Sequence, residues 1–188
     1  MLNHIGTSAI ETKRVLLRRF TLNDVQDMYE NWASSENVTK YLTWSKHRNT
    51  NRTTMVISMW QSSYDNDEYY NWAIVDKDTN KVIGSINLMN IDNYNENCEV
   101  GYCLSSDFWN KGIMTEILLE VIKFAFNKIG FERITGRHHI DNVASGRVME
   151  KCSFIYEGTL RKIIKNNNGV LVDCKYYSIL KSEYKELL

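Results

Sequence analysis

The stretch CEVGYCLSSDFWNKGIMTE, from Cys98 to Glu116, decides the fold because a strand, a short loop and a helix follow one another in it without a gap. Apolar residues alternate with polar or small ones from Cys98 to Leu104, which is the period of a half-buried strand. Apolar residues then recur at helical spacing from Ile117 to Ala125, and Gly130 follows as a stop signal. The pattern predicts a strand that enters a helix just after Gly112.

The start of this helix is a candidate anion site, because the first turn of a helix has no internal acceptors for its backbone N–H groups. Such a group of amides favours phosphate oxygens. The loop lacks the second glycine and the Lys-Ser/Thr pair of a P-loop, and it lacks the GxGxxG of a dinucleotide fold. A single glycine in such a turn is by itself weak evidence. The predicted amides belong to Asn110, Lys111, Gly112, Ile113 and Met114.

The bulk composition excludes several classes of protein. The chain has 188 residues and a formal net charge of +0, so we expect one domain over residues 1–188 and no nucleic-acid or membrane partner. No segment approaches the ~20 apolar residues that span a bilayer, and the N terminus lacks a signal-peptide pattern. We therefore expect a cytoplasmic protein.

No metal site is expected from the cysteines and histidines. The four cysteines form no CxxC pair and are scattered among predicted core segments, which indicates reduced and mostly buried thiols. His138 and His139 are adjacent on a predicted strand, so their side chains should point to opposite faces of the sheet.

The order of the predicted elements indicates an α+β fold. Residues 72–75 and 81–89 read as an antiparallel hairpin, and the helix after Gly112 connects two parallel strands, of which the second is 133–139. A helix around 144–152 and two further strands complete the chain. The predicted sheet is therefore mostly antiparallel with one parallel crossover.

Three segments, EVGYCL, FWNKGIMTE and NVASGRVMEKCSF, resemble the cofactor-binding segments of the GNAT acetyltransferases, specifically the RimJ/RimL-type branch that acetylates protein N termini. The resemblance covers nearly the whole chain. It implies a seven-stranded sheet with about four helices, in which strands 98–104 and 133–139 splay apart to admit the pantetheine arm of acetyl-CoA. Asn110, Met114 and Ser153 depart from the family pattern, since these positions often carry glycine or another small residue.

The resemblance also implies which residues hold acetyl-CoA, with no metal. Lys111 and Lys151 could neutralise phosphates, and Asn142 could cap its helix. The aromatic residues Tyr102 and Trp109 are also compatible with ordinary core packing. The implied cofactor-binding set is Tyr102, Cys103, Leu104, Trp109, Asn110, Lys111, Gly112, Ile113, Met114, Thr115, Asn142, Ser145 and Lys151.

Acetyl transfer to an amine needs a base and a proton source for the departing thiolate. An α-amino group titrates near pKa ~8, so a carboxylate acting through water suffices. The resemblance points to Glu99 as the first candidate base and Glu157 as the second, although each could be an ordinary surface carboxylate. Ser145 matches the serine proposed to protonate the thiolate, and it could equally be a first-turn serine with a local backbone bond.

The acceptor side is less defined by the sequence. Trp44 and His47 lie in a polar loop, where a recognition role is credible, and Trp72 and Asn87 complete the predicted acceptor-binding set. Trp32 is expected in the core.

The leading function is an acetyl-CoA-dependent N-acetyltransferase whose acceptor is a primary amine, with the resemblance favouring the N terminus of a ribosomal protein. One alternative is the acetylation of a small amine such as a polyamine, an amino acid or an antibiotic. Another is a non-catalytic module that binds coenzyme A. A monomer and a homodimer are both compatible with the sequence.

Overall fold

The computed structural model describes residues 1–186, and the strands in this range form one eight-stranded sheet in the order β1-β2-β3-β4-β5-β6-β8-β7. All neighbouring strands are antiparallel except β5 and β6, which are parallel. The α+β prediction with one parallel crossover is confirmed. The strands are β1 (Ile10–Glu11), β2 (Val15–Arg18), β3 (Tyr70–Asp76), β4 (Val82–Asp92), β5 (Asn97–Leu104), β6 (Arg133–His139), β7 (Ile155–Lys165) and β8 (Leu171–Leu180).

The described residues contain six α-helices, so the expected seven strands and about four helices are wrong. The additional strand is the two-residue β1, which pairs with β2. The N-terminal helical region is divided, because a π-helical turn follows α1 and Ser35 caps a new helix by accepting a hydrogen bond from Val38 N. The helices are α1 (Val25–Met28), α2 (Glu36–Thr39), α3 (Thr50–Ser63), α4 (Ile113–Phe124), α5 (Val143–Lys151) and α6 (Lys181–Glu186).

The two faces of the sheet pack against different helices. Residues of α4 and α5, including Ile117, Leu118 and Met149, form the larger core cluster with one face. Residues of the α1–α3 region, including Trp32 and Ile57, form a second cluster on the other face. No helix within residues 1–186 has both the length and the apolar character needed to cross a membrane.

The parallel pair β5 and β6 is joined along only half of its length. Asn97 pairs with Arg133, and the pairing continues only as far as Val100 with Gly136. Beyond this point β5 still pairs with β4 as far as Leu104, and β6 still pairs with β8 as far as His139. Among the described residues, 101–104 and 137–139 are therefore unpaired with each other, as in a splayed pair of strands.

Candidate active site

A cleft of about 840 Å³ lies where β5 and β6 separate. Its volume is within the range of roughly 300–1,000 Å³ that is common for small-molecule sites. Its walls come from residues within four segments of the chain: 37–42, 102–104, 108–115 and 141–151. Two of these segments contain the starts of α4 and α5, so two helix N-termini border the cleft.

The loop before α4 exposes a run of backbone amides. Asn110 and Gly112 both adopt left-handed backbone conformations, with φ angles of 59° and 72°. Within residues 1–186, no acceptor is bonded to the backbone N–H groups from Asn110 to Thr115, and the first helical bond is Glu116 N to Gly112 O at 3.1 Å. Asparagine and glycine tolerate this backbone region better than other residues. The free amides that the sequence predicts are therefore present at the cleft.

Arg14, which no sequence pattern marks, supports this loop from the position just before β2. Its Nη1 donates to the carbonyl of Lys111 at 2.7 Å, and its Nε donates to Glu116 Oε2 at 2.7 Å. The backbone N–H of Arg14 donates to Glu116 Oε1 at 3.0 Å. These bonds fix both sides of the helix start. Their partners are 97 to 102 residues apart along the chain, so no local sequence signal marks them.

The cations around the cleft differ from those predicted. The ammonium group of Lys111 lies over the ring of Phe108, 5.3 Å from its centroid, and Lys111 does not line the cleft. Lys151 does line it, together with Arg147. Arg147 was not among the predicted residues, although its spacing of four residues from Lys151 places both side chains on one face of α5.

Ser145 and Tyr102 meet at the start of α5. Ser145 Oγ donates to the hydroxyl of Tyr102 at 3.1 Å, and that hydroxyl donates to the carbonyl of Ser145 at 3.0 Å. Burial raises the pKa of Tyr102 well above its ordinary value, and its hydrogen bond with Ser145 opposes this only in part. Asn142 caps the helix, because its side chain accepts a hydrogen bond from Ser145 N.

Cys103 is the thiol that reaches the cleft, and the other three cysteines are buried. Its Sγ lies 3.3 Å from Ser85 Oγ. Burial raises the pKa of the Cys103 thiol to about 11, so the neutral form dominates near pH 7. Within residues 1–186 there is no group of His, Cys, Asp and Glu side chains that could hold a metal ion.

Glu99 lies on β5 one position before its last pair with β6, and it is buried with 7% of its surface exposed. Arg137 Nη1 and Asn90 Nδ2 both donate to its Oε2, at 2.9 and 3.0 Å. The described residues donate no hydrogen bond to Oε1. Glu99 does not line the cleft itself, but one of its oxygens is available as an acceptor.

Glu157 is more exposed and is fully engaged. Its Oε1 accepts a hydrogen bond from Ser178 Oγ, and its Oε2 accepts one from Arg133. The hydrogen bond from Arg133 lowers the pKa of Glu157 below its ordinary value. Arg133 is paired with Asn97, at the closed end of the β5–β6 pair. Glu157 therefore lies away from the opening between the strands.

The residues predicted to bind the acceptor do not line the cleft. Trp72 is fully buried, and its indole N–H donates to the carbonyl of Ser8. His47 is buried with its Nδ1 2.8 Å from Thr53 Oγ1, and burial lowers its pKa. Trp44 packs edge-on against Trp32, which lies in the core as expected. These placements correct the predicted roles of the three side chains, because all are used in packing.

Asn87 lies on β4 opposite Gly101, and its Oδ1 is buried without a hydrogen-bond partner among the described residues. A carbonyl oxygen in this state can still accept a donor. The wall of the cleft on this side comes instead from Asn37, Val38, Lys40, Tyr41 and Leu42.

The turn between β7 and β8 holds this wall in place. Asn167 N donates to Leu42 O at 3.0 Å, and Asn167 Nδ2 donates to Thr39 O at 3.1 Å. Ser45 Oγ donates to Asn167 O at 3.0 Å. We call residues 166–169 the hairpin tip. Three hydrogen bonds between the tip and segment 39–45 therefore form a bridge beside the cleft.

The family model of the acetyltransferase (GNAT) domain matches residues 14–155. The chain belongs to the GNAT acetyltransferase family. The N-acetyltransferase p20 of Bacillus licheniformis, itself uncharacterised, is 30% identical over 173 residues, which cover 92% of this chain and 96% of p20. YdaF of Bacillus subtilis strain 168, provisionally named a ribosomal N-acetyltransferase, is 34% identical over 102 residues, or 54% of this chain and 55% of YdaF.

A solved structure has the same fold. The ribosomal-protein-S5-alanine acetyltransferase from Vibrio fischeri aligns with a TM-score of 0.82 at 20% identity, over 94% of this chain and 98% of that protein. The GNAT fold is thus confirmed, and the protein is an N-acetyltransferase of this family.

Proposed function

We propose that this GNAT N-acetyltransferase uses acetyl-CoA and acts on the amine at the N terminus of a protein, as enzymes of the RimJ/RimL-type branch do. The observation that carries the proposal is the run of free backbone amides from Asn110 to Thr115 beside the separated strands β5 and β6. Free amides at the start of a helix favour phosphate groups.

The residues around the cleft suit both the phosphates and the pantetheine arm of coenzyme A. The free amides and the cations Arg147 and Lys151 would hold the phosphates. The unpaired inner edges of 101–104 and 137–139 offer backbone groups for the amides of the pantetheine arm. When bound, acetyl-CoA supplies a thioester carbonyl as the electrophile.

Glu99 is the better candidate base of the two carboxylates. Both hydrogen bonds to its side chain go to Oε2, so Oε1 can accept a proton from the acceptor amine through water. Arg137 compensates the negative charge when the carboxylate is ionised. Glu157 has both oxygens engaged and a lowered pKa, and it is therefore the weaker base.

Ser145 is the candidate proton donor to the sulfur. It lines the cleft at the start of α5, and its Oγ already carries a proton directed at Tyr102. Rotation about the Cβ–Oγ bond would redirect this proton without moving the oxygen. The Cys103 thiol is not needed as a nucleophile, since its raised pKa keeps it neutral.

An N-terminal amine fits this machinery better than a lysine side chain does. The α-amino group has a pKa of ~8, whereas the lysine side chain has one of ~10.4. Deprotonation of the α-amino group at neutral pH therefore costs much less free energy. The name of YdaF supports a ribosomal target, although the alignment covers about half of each chain.

Calorimetric titration with coenzyme A, followed by an acceptor panel with acetyl-CoA, tests the proposal. The panel contains a peptide with a free N terminus and no lysine, the same peptide blocked at its N terminus with one lysine added, spermidine and free amino acids. We expect coenzyme A binding and turnover of the first peptide. Turnover of only the small amines would move the acceptor to that class, and the absence of coenzyme A binding at millimolar ligand would overturn the cofactor assignment.

A further inference from the structure

Tyr102 and Ser145 form a reciprocal pair of hydrogen bonds across the cleft wall. The phenol donates to the carbonyl of Ser145 at 3.0 Å and accepts from Ser145 Oγ at 3.1 Å. Tyr102 belongs to β5, whereas Ser145 lies in the first turn of α5, 43 residues further along the chain. One side chain therefore holds both the backbone and the hydroxyl of the same residue.

The directions of these bonds are informative. Because the phenol proton is committed to a backbone carbonyl, a lone pair of its oxygen faces Ser145 Oγ and fixes the rotamer of the serine. Ser145 N is held in turn by the side chain of Asn142. The N–H, the carbonyl and the hydroxyl of Ser145 are thus each restrained by a side chain.

Tyr102 connects β5 to α5 at a place where β5 and β6 are not paired. It lies two positions beyond Val100, the last residue of β5 that pairs with β6, and α5 follows β6 directly along the chain. The paired phenol therefore sets the distance between β5 and the first turn of α5, at the place where the sheet has opened.

We propose that Tyr102 is a positioning residue that clamps the first turn of α5 to β5 and so holds the Ser145 hydroxyl in place for proton delivery to the thiolate. This inference rests on the proposed function of Ser145. In the proposed step Ser145 gives its proton to the thiolate and recovers one from solvent, while the phenol keeps its own proton. The raised pKa of Tyr102 agrees with this role, since a phenol that ionises so reluctantly is a poor acid.

The test compares Y102F, S145A, the double variant and a matched control, Y156F. Tyr156 is an exposed tyrosine whose hydroxyl bonds to Thr159. Removal of the Tyr102 hydroxyl should lower kcat about tenfold, the scale of one lost hydrogen bond, with less than a twofold change in KM for acetyl-CoA. S145A should also lose kcat, and the double variant should be no slower than S145A alone, because the two residues act as a unit.

Amide hydrogen exchange in the unliganded protein gives a second readout that does not depend on turnover. Amides of residues 147–149, which donate to the first carbonyls of α5, should exchange several-fold faster in Y102F. S145A and Y156F should keep the wild-type rate, because the bond from the phenol to the Ser145 carbonyl survives in both. Wild-type kcat in Y102F, an additive double variant or unchanged exchange in Y102F would each overturn the inference.

The same measurements separate this inference from the proposed function. If the wild-type protein fails to bind coenzyme A, the proposed function fails, while exchange at 147–149 still reports on the clamp. If Y102F folds poorly, the S145A comparison decides: loss of kcat with retained protection supports the clamp, and loss of protection in S145A contradicts it.

Discussion

The two ends of the cleft are built in different ways. Residues 102–115 and 142–151, which we propose to bind acetyl-CoA and call the cofactor end, form two compact stretches. Local features such as the left-handed Asn110 and Gly112 and the Asn142 cap set much of their backbone. Residues 37–45 and the hairpin tip 166–169, which we propose to face the acceptor and call the acceptor end, are joined by hydrogen bonds between groups more than a hundred residues apart. Local turns and caps thus shape the backbone of the cofactor end, which Arg14 and Tyr102 support from a distance, whereas the acceptor end depends on long-range hydrogen bonds.

The largest expected effect concerns the base that would serve the acceptor. Replacement of Glu99 by Gln should lower kcat on the best acceptor about a hundredfold, at the low end of the range for a lost general base. E157Q serves as the matched control, because Glu157 lies near the closed end of the β5–β6 pair, and it should change kcat by less than threefold. Steady-state rates at saturating acetyl-CoA measure both. Equal losses in the two variants, or none in E99Q, would remove Glu99 from the mechanism.

Two left-handed glycines allow a direct comparison of the ends. Gly112, at the start of α4, has a φ of 72°, and Gly169, in the hairpin tip, has a φ of 75°. Neither has an atom closer than 3.8 Å to an added Cβ, so alanine introduces backbone strain of about 1–2 kcal/mol rather than a clash at both sites. We expect G112A to weaken coenzyme A binding about tenfold by turning the free amides, with unchanged binding in G169A.

Calorimetric titration of both variants measures this difference. If G169A weakened coenzyme A binding as much as G112A, backbone strain at the hairpin tip would be affecting the cofactor end. The two ends would then not be independent.

A smaller effect is expected from the bridge at the acceptor end. N167A removes the side-chain bond to Thr39 O but keeps the backbone bond to Leu42. The KM for the acceptor should rise about three- to tenfold, the scale of one hydrogen bond, while the KM for acetyl-CoA should stay unchanged. N168A is the control, because Asn168 is exposed and its side chain makes no hydrogen bond with the described residues. A rise in KM for acetyl-CoA in N167A would contradict the separation of the cleft into a cofactor end and an acceptor end.

The sequence predicts the local backbone of the cofactor end, namely the free amides before α4 and the cap of α5, because these features depend on short-range signals. A glycine or asparagine before a helix, an asparagine three residues before Ser145 and the alternation along β5 are each visible within a few residues. The error at Lys111 arises because its side chain turns back over Phe108, and such a rotamer choice leaves no trace in the pattern. Arg14 was missed because its partners lie about a hundred residues away.

The residues predicted to bind the acceptor do not line the cleft, for two physical reasons. Every residue of β3 is buried, because helices cover both faces of the sheet, so no alternation marks the direction of Trp72. His47 lies in a polar loop, yet its side chain is buried against Thr53. The polar composition of the loop does not reveal this inward orientation. Segment 37–42 acquires its place through the hairpin tip, which a local pattern cannot reveal.

The smallest expected effect is a difference in pH dependence between two buried histidines, one beside each end. Burial is the main cause that lowers the pKa of both His138, which packs under α5 at Gly146, and His47, which supports the segment after α2. With a folded-state pKa below the ordinary value near 6.5, the unfolded chain binds more protons, so stability is full above pH 6.5 and falls as the pH drops through that value.

Urea unfolding at pH 7.5 and 5.5 measures this loss, and H138N or H47N should each reduce it. The Nε2 of His138 is buried without a partner among the described residues, whereas the His47 ring bonds to Thr53. Protonation at His138 would place an unsatisfied N–H against the backbone of α5, so H138N should remove the larger share. When the pH is lowered to 5.5, amide exchange should therefore increase in α5 before it increases in α3. An earlier increase in α3 would show that His47, and not His138, contributes the larger loss of stability.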